Sequence, residues 1–422
     1  MPNAGAHDEQ AAAGAPTGVR NLGSGLRILV ATPFPPRTGL HHGGRVIAQL
    51  LSRLAERHEV GLVHLDEPGA EEQGDLPRGL AFAEAIPHRH GSAWRRRWRV
   101  LAGPLRGVPS PVGALYSEAL AAALVRRAES FRPQLVQVEH DSLAYCGSAL
   151  RAAGSRLPLL LTCHEPGILA AQDQARVTRG RRRVAHELDV LAWRRYLARH
   201  LPAFDALVAF TDSDRRVIAP YAPAAATAII GIGFDVPARP LDPAGEDETS
   251  VLFIGGYRHP PNVDAALRLL CSIMPLVRER HPGARLLLVG ADPPPQLREA
   301  AGPLDTVTGP VPRVEPYMER AQVVAIPLRT GGGMRVKLLE ALSAGKAVVA
   351  SPLAAAGLRL TSGRELLLAE SDEEFAEHIA RLLADEELRR RIGRVARQWA
   401  VRSLSWESRV AEYEKLYASL VR

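Results

Sequence analysis

Cysteine is scarce in this chain. Cys146, Cys163 and Cys271 are the three in 422 residues, and they lie far apart. That spacing argues against a disulfide framework and a cysteine-built metal site. Lysine is just as scarce: of 53 basic side chains only Lys337, Lys346 and Lys415 are not arginine. No apolar run reaches the roughly 18 residues of a membrane-spanning helix. The opening segment is rich in Ala and Gly and has no basic start followed by an apolar stretch, so no secretory signal is expected and the expected address is a reducing cytoplasm. The remaining composition, 46% hydrophobic and 23% charged, is that of an ordinary globular protein. At roughly 100–200 residues per domain, two or three domains are expected. The net charge of +7 and a pI near 9.6 favour an anionic partner: a phosphorylated substrate, nucleic acid or an anionic membrane surface.

Residues 1–24 lack apolar periodicity and are expected to be disordered. From Leu26 the pattern is regular. Arg27–Thr32 reads as a buried strand, Pro33, Pro35 and Pro36 force a loop, and Gly43-Gly44 opens a helix with Val46, Ile47, Leu50, Leu51 and Leu54 at helical spacing. Residues 58–65, 135–138, 157–162 and 206–210 continue as strands. The segment 236–250 is rich in proline and acid and reads as a linker. A second series then begins at 251–254, with strands at 285–289, 306–308, 323–327 and 347–350. Strands alternating with helices predict parallel sheets covered on both faces. The expected organisation is a first domain at 25–236, a linker at 237–249, a second domain at 250–402 and an amphipathic helix at 403–422, which could pack on its own domain or return to the first. Ligands in such sheets bind beyond the carboxyl ends of the strands.

The segment Leu328 to Leu342 carries the chemistry. A strand ends at Pro327, and Gly331, Gly332 and Gly333 allow a ligand close to the backbone before a helix begins. A helix N-terminus offers free N–H groups to an anion. Arg335 and Lys337 stand in the first turns, where the helix dipole disfavours cations unless an anion compensates. Glu340, three residues after Lys337, lies on the same face. A diphosphate at the glycines with a ribose near Glu340 would satisfy this arrangement. A lysine at this turn, in a chain that otherwise uses arginine, hints at a need for a compact ammonium, although nearby Lys346 escapes the same bias.

The run GGGMRVKLLEALSAGKAVVASPLAAAGL resembles the donor-binding signature of family 4 glycosyltransferases of the GT-B fold, and FIGGYRHPPNVDAALRLL resembles the start of their C-terminal domain. FTDSD followed by GIGFDV resembles their passage between domains. The resemblance implies two doubly wound, Rossmann-like α/β domains facing across a cleft, and retaining transfer of a sugar from a nucleotide-diphosphate donor without a further cofactor. It implies that Lys337, with Arg335, neutralises the pyrophosphate, that Glu340 holds the ribose, that Gly331, Gly332 and Gly333 approach sugar or phosphate, and that Leu338 lies near the nucleoside. Gly43 and Gly44 would face the phosphates and the acceptor. His140 matches the position of a histidine near the reacting sugar. Two departures stand out. Gly332 occupies a place where the family often has Glu, and Arg258 stands in the basic phosphate loop without a following lysine.

His140 and His164 end successive predicted strands and would point into one cleft. The string Asp212-Ser213-Asp214 is read as a helix cap rather than a metal site, since Arg335 and Lys337 already supply positive charge. Residues 88–99, with five arginines and two tryptophans, are read either as a contact with an anionic membrane or as a solvated basic helix. Nucleic-acid binding is not expected, because no recognisable module or aromatic platform is present. The expected acceptor is a glycan or lipid-linked intermediate of bacterial surface-polysaccharide or glycolipid synthesis. The competing readings are a non-hydrolysing nucleotide-sugar epimerase, a non-catalytic nucleotide-sugar-binding protein and a dinucleotide-dependent oxidoreductase. The last would require a G-x-G-x-x-G fingerprint that the loop from Pro33 to Gly44 lacks.

Overall fold

A computed structural model describes residues 25–37, 42–66, 74–87, 103–242, 249–331 and 336–421. The tail 1–24, the basic segment 88–99, most of the acidic part of the linker, and Gly332, Gly333 and Arg335 lie outside the described residues.

The first sheet contains β1 (Arg27–Thr32), β2 (Glu59–Leu65), β3 (Phe82–Ile86), β4 (Leu135–Glu139), β5 (Leu159–Cys163), β6 (Ala206–Ala209) and β7 (Ala226–Ile229). Its order is β3-β2-β1-β4-β5-β6-β7 and every pairing is parallel. The second contains β8 (Ser250–Ile254), β9 (Arg285–Val289), β10 (Asp305–Val307), β11 (Val323–Ile326), β12 (Ala347–Ala350) and β13 (Leu367–Leu368), in the order β10-β9-β8-β11-β12-β13, again all parallel. The two doubly wound α/β domains are those expected. Central strands such as β1 and β12 are apolar on both faces because helices cover both. The edge strands β3 and β7, with β13, are absent from the sequence reading. Their residues, FAEAI and ATAI, are rich in alanine and partly exposed, and β13 has only two residues. None of them carries the apolar run by which a buried strand is recognised.

In each sheet the strand order reverses once, between β1 and β4 and between β8 and β11. Loops leaving adjacent strands there diverge to opposite faces and open a crevice. Helix Trp406–Leu420 settles the alternative left open by its sequence. It returns to the first domain, where Trp406, Val410, Tyr413 and Tyr417 pack among Ile28, Val30, Leu160 and Val208. The chain therefore crosses between domains twice, and the crossings are tied together: the Phe234 N–H donates to the Leu404 carbonyl at 2.9 Å.

Candidate active site

A cavity of about 460 Å³ lies beyond the carboxyl ends of β8 and β11. From β8 its wall takes Ile254, Gly255 and Gly256, and from the segment after β11 it takes Leu328, Thr330 and Gly331. Helix Val336–Ala344 contributes Val336, Lys337 and Glu340. Lys337 and Glu340 thus share one helix face and one cavity, as their three-residue spacing predicts. The opposite domain contributes Glu165.

Asn262 and Phe253 hold Lys337. Its Nζ donates to Asn262 Oδ1 and sits 4.9 Å from the centre of the Phe253 ring, a cation–π contact. Asn262 is 7% exposed, and its Nδ2 donates to the Gly256 carbonyl at 2.8 Å. One amide therefore fixes both the ammonium and the glycine loop after β8. Asn262 lies within the quoted run FIGGYRHPPNVDAALRLL, but nothing in the sequence gives it this task. Gly331 has φ +113°, a region L side chains rarely adopt. Its N–H donates to Asp173 Oδ2 of the first domain at 2.8 Å. The glycine loop is thus bonded across the cleft to a carboxylate that sequence reasoning did not single out.

In the first domain, Gly44 is buried in the first turn of helix His42–Ala55, where the glycine pair was expected to open a helix. His140 ends β4 at the sheet's own reversal point. Its backbone is strained, at φ 74°, as residues at functional sites often are. Its ring stacks on His164, with centroids 4.2 Å apart and planes 13° from parallel, and makes a T-shaped contact with Phe34 at 5.4 Å. The two strand-end histidines therefore come together. His164 Nε2 lies 2.5 Å from Glu139 Oε2. Glu139 is fully buried, and its other oxygen accepts from Gln137 Nε2. Gln137 Oε1 accepts in turn from the hydroxyl of Tyr417 on the returning helix. Asp141, the next residue, accepts from the Gly167 N–H at 2.8 Å, and burial pushes its carboxyl up to about 6.

Three expected placements need correction. Arg258 does not reach the cavity wall: its side chain is 87% exposed and pairs with Asp292 at 2.8 Å. Leu338 is fully buried in the core of the second domain and faces away from the cavity, where Val336 takes its place. The helix after β6 is capped by Thr211, whose Oγ1 accepts from the Asp214 N–H. Asp212 instead pairs with Arg215 and Arg216, and Asp214 accepts from Thr211 Oγ1 at 2.7 Å.

Two family profiles match the chain. The one described as "Glycosyltransferase Family 4" matches residues 43–236, and the one described as "Glycosyl transferases group 1" matches residues 248–385. The chain carries glycosyltransferase domains in both of its halves. Among curated relatives, a phosphatidyl-myo-inositol mannosyltransferase of Mycolicibacterium smegmatis is 29% identical over 188 residues, 43% of this chain and 47% of the relative. A GDP-mannose-dependent alpha-(1-6)-phosphatidylinositol monomannoside mannosyltransferase of Mycobacterium tuberculosis is 29% identical over 221 residues, 47% of this chain and 57% of the relative. The chain spans between about a quarter and somewhat over half the length of such relatives. Among solved structures, the sucrose-phosphate synthase of Thermosynechococcus elongatus superposes with a TM-score of 0.69 at 17% identity, covering 94% of this chain and 99% of that one. Anabaena Alr3699/HepE in complex with UDP superposes with a TM-score of 0.63 at 15% identity, covering 94% and 100%. The glycosyltransferase domains are therefore arranged in the GT-B fold.

Proposed function

We propose that this chain transfers a sugar, with retention of configuration, from a nucleoside-diphosphate donor to a glycan or lipid-linked acceptor. The observation that carries this reading is the shared cavity wall in which Lys337, Glu340 and Gly331 meet beyond the strand reversal of the second sheet. A departing diphosphate gains charge in the transition state, and preorganised cations and N–H groups aimed at it lower the barrier. Lys337, held by Asn262 and Phe253, supplies such a cation; Arg335 would add a second. Glu340, with two carboxylate acceptors, suits a vicinal diol such as that of ribose. These cations would neutralise the diphosphate, so we assign the reaction no divalent metal. The solved neighbour bound to UDP supports a nucleotide donor, and the two mannosyltransferase relatives support a lipid acceptor.

The same reading places the protein in bacterial glycolipid or surface-polysaccharide synthesis, in the cytoplasm against the inner face of the membrane. Among the described residues no helix is long and apolar enough to cross a membrane. Helix Gly180–His200 supports a surface contact. Its inner face buries Trp193, Tyr196 and Leu197, yet its outer face exposes Val184, Leu188 and Leu191 at 57, 37 and 45%. Exposed arginines 181, 182, 194, 195 and 199 flank that stripe.

The donor assignment is tested by calorimetry with nucleoside diphosphates and by transfer assays in EDTA. Lys337→Ala should weaken diphosphate binding about 30-fold, the equivalent of roughly 2 kcal/mol for a charged hydrogen bond. Turnover of the wild type should persist in EDTA. Undiminished binding and turnover in the variant would remove Lys337 from the donor site.

A further inference from the structure

We propose that Glu139 and His164 form a positioning pair that fixes the ring of His140 at the cleft, and that the C-terminal helix completes the pair through Tyr417 and Gln137. The inference rests on the reading of the cleft as a sugar-transfer site. Its geometry is independent of that reading.

A fully buried carboxylate is costly unless its oxygens are paired. Both oxygens of Glu139 are occupied, one by an amide and one by an imidazole. A carboxylate can only accept, so His164 Nε2 carries the proton, which fixes the tautomer and the plane of that ring. His140 lies flat on the ring so fixed, and the Phe34 ring packs on it in a T-shaped contact. Its strained backbone is tied to β5 by an N–H bond to the Thr162 carbonyl at 2.9 Å. Its ring and its main chain are thus held from separate directions. The residue after His164 is Glu165, which lines the cavity with Lys337 and Glu340. Any shift of His164 would therefore be felt at the cavity wall.

The pair also lies where packing alone would not ask for it. Leu135 and Leu160 face the returning helix from β4 and β5, and apolar residues at 137 and 139 would continue that face. Gln137 and Glu139 stand there instead, and the helix meets Gln137 with a tyrosine hydroxyl. Buried ionic groups are often replaceable by apolar ones without loss of stability. Their presence at this place, one ring away from a strained strand-end histidine, points to orientation of that histidine.

The test uses the full chain with Glu139→Gln, Glu139→Asp, Tyr417→Phe and His140→Gln. Glu139→Gln should lower kcat about tenfold or more while the donor KM stays within about twofold, because orientation rather than ground-state binding is lost. Glu139→Asp should recover part of that kcat. The ring NMR signal of His140, assigned by its loss in His140→Gln, should move in Glu139→Gln and move less, in the same direction, in Tyr417→Phe. A Glu139→Gln variant with kcat within twofold of wild type, or with the His140 signal in place, overturns the proposal. Should Glu139→Gln fail to fold, an unmoved His140 signal together with an unchanged kcat in Tyr417→Phe overturns it equally. If the wild type neither binds a nucleoside diphosphate nor transfers sugar, the cleft reading fails, and the NMR comparison still decides whether Glu139 and His164 orient His140.

Discussion

Lys337 and Lys346 escape the chain's arginine bias for different reasons. Lys337 reaches the cavity wall with its ammonium against Asn262 and Phe253. Lys346 is fully buried, and its Nζ donates to the carbonyls of Asp242 at 2.5 Å and Glu319 at 3.3 Å. A compact ammonium can be satisfied by carbonyls converging on one point, whereas a planar guanidinium needs five acceptors spread along a fork. Desolvation lowers the pKa of Lys346 from 10.5 to about 8. Between those two values the unfolded chain binds a proton that the folded one does not, so this residue makes stability rise with pH across that window. Lys346→Met should lack the rise. The difference in urea-unfolding free energy between wild type and variant should change by up to about 3 kcal/mol from pH ~8 to pH ~10.5. A difference that is flat in pH would show that Lys346 stays charged in its site.

At the scale of elements, the returning helix Trp406–Leu420 is part of the first domain's core, although it follows the second domain in sequence. Trp406 is 5% exposed and packs on the backbone of Gly233, where a Cβ would come within 2.2 Å of the indole ring. Arg53 also lies over that ring, 5.0 Å from its centre. Trp406→Ala should therefore destabilise the protein by about 3–5 kcal/mol, the usual range for deleting a large buried aromatic side chain. Gly233→Ala should also destabilise it, because the added methyl overlaps a ring with nowhere to move. Denaturant titration checks both. A loss below about 1 kcal/mol for Trp406→Ala would mean that the helix docks only loosely.

At the scale of the whole molecule, two crossings bonded to each other join the domains, and a contact across the cleft, from Gly331 to Asp173, bridges them at the site. The membrane contact proposed for the first domain rests on the arginine-flanked apolar stripe on Gly180–His200. Apolar residues at such a surface insert while neighbouring arginines meet lipid phosphates. Sedimentation with phosphatidylglycerol vesicles should carry down the wild type. Leu188→Asp combined with Leu191→Asp should weaken that binding about tenfold or more. Equal partition of wild type and variant, or equal partition onto neutral phosphatidylcholine vesicles, would remove this helix from the membrane contact.

Local pattern determined the central strands, both parallel sheets, and the pairing of Lys337 with Glu340. Buried strands announce themselves as apolar runs, and helical periodicity places residues three apart on one face whatever surrounds them. Tertiary structure alone decided the rest. β3 and β7 form because a completed sheet offers them an edge, not because ATAI or FAEAI demands a strand. Asn262, Asp173, Glu139 and Tyr417 looked like ordinary loop, helix or strand residues, since their partners are distant in sequence: Tyr417 meets Gln137 across 280 positions. Arg258 and Leu338 were misplaced for the same reason. A motif states which residues are near each other along the chain. Which of them turn toward the cavity depends on packing: Arg258 stands in solvent beside Asp292 instead.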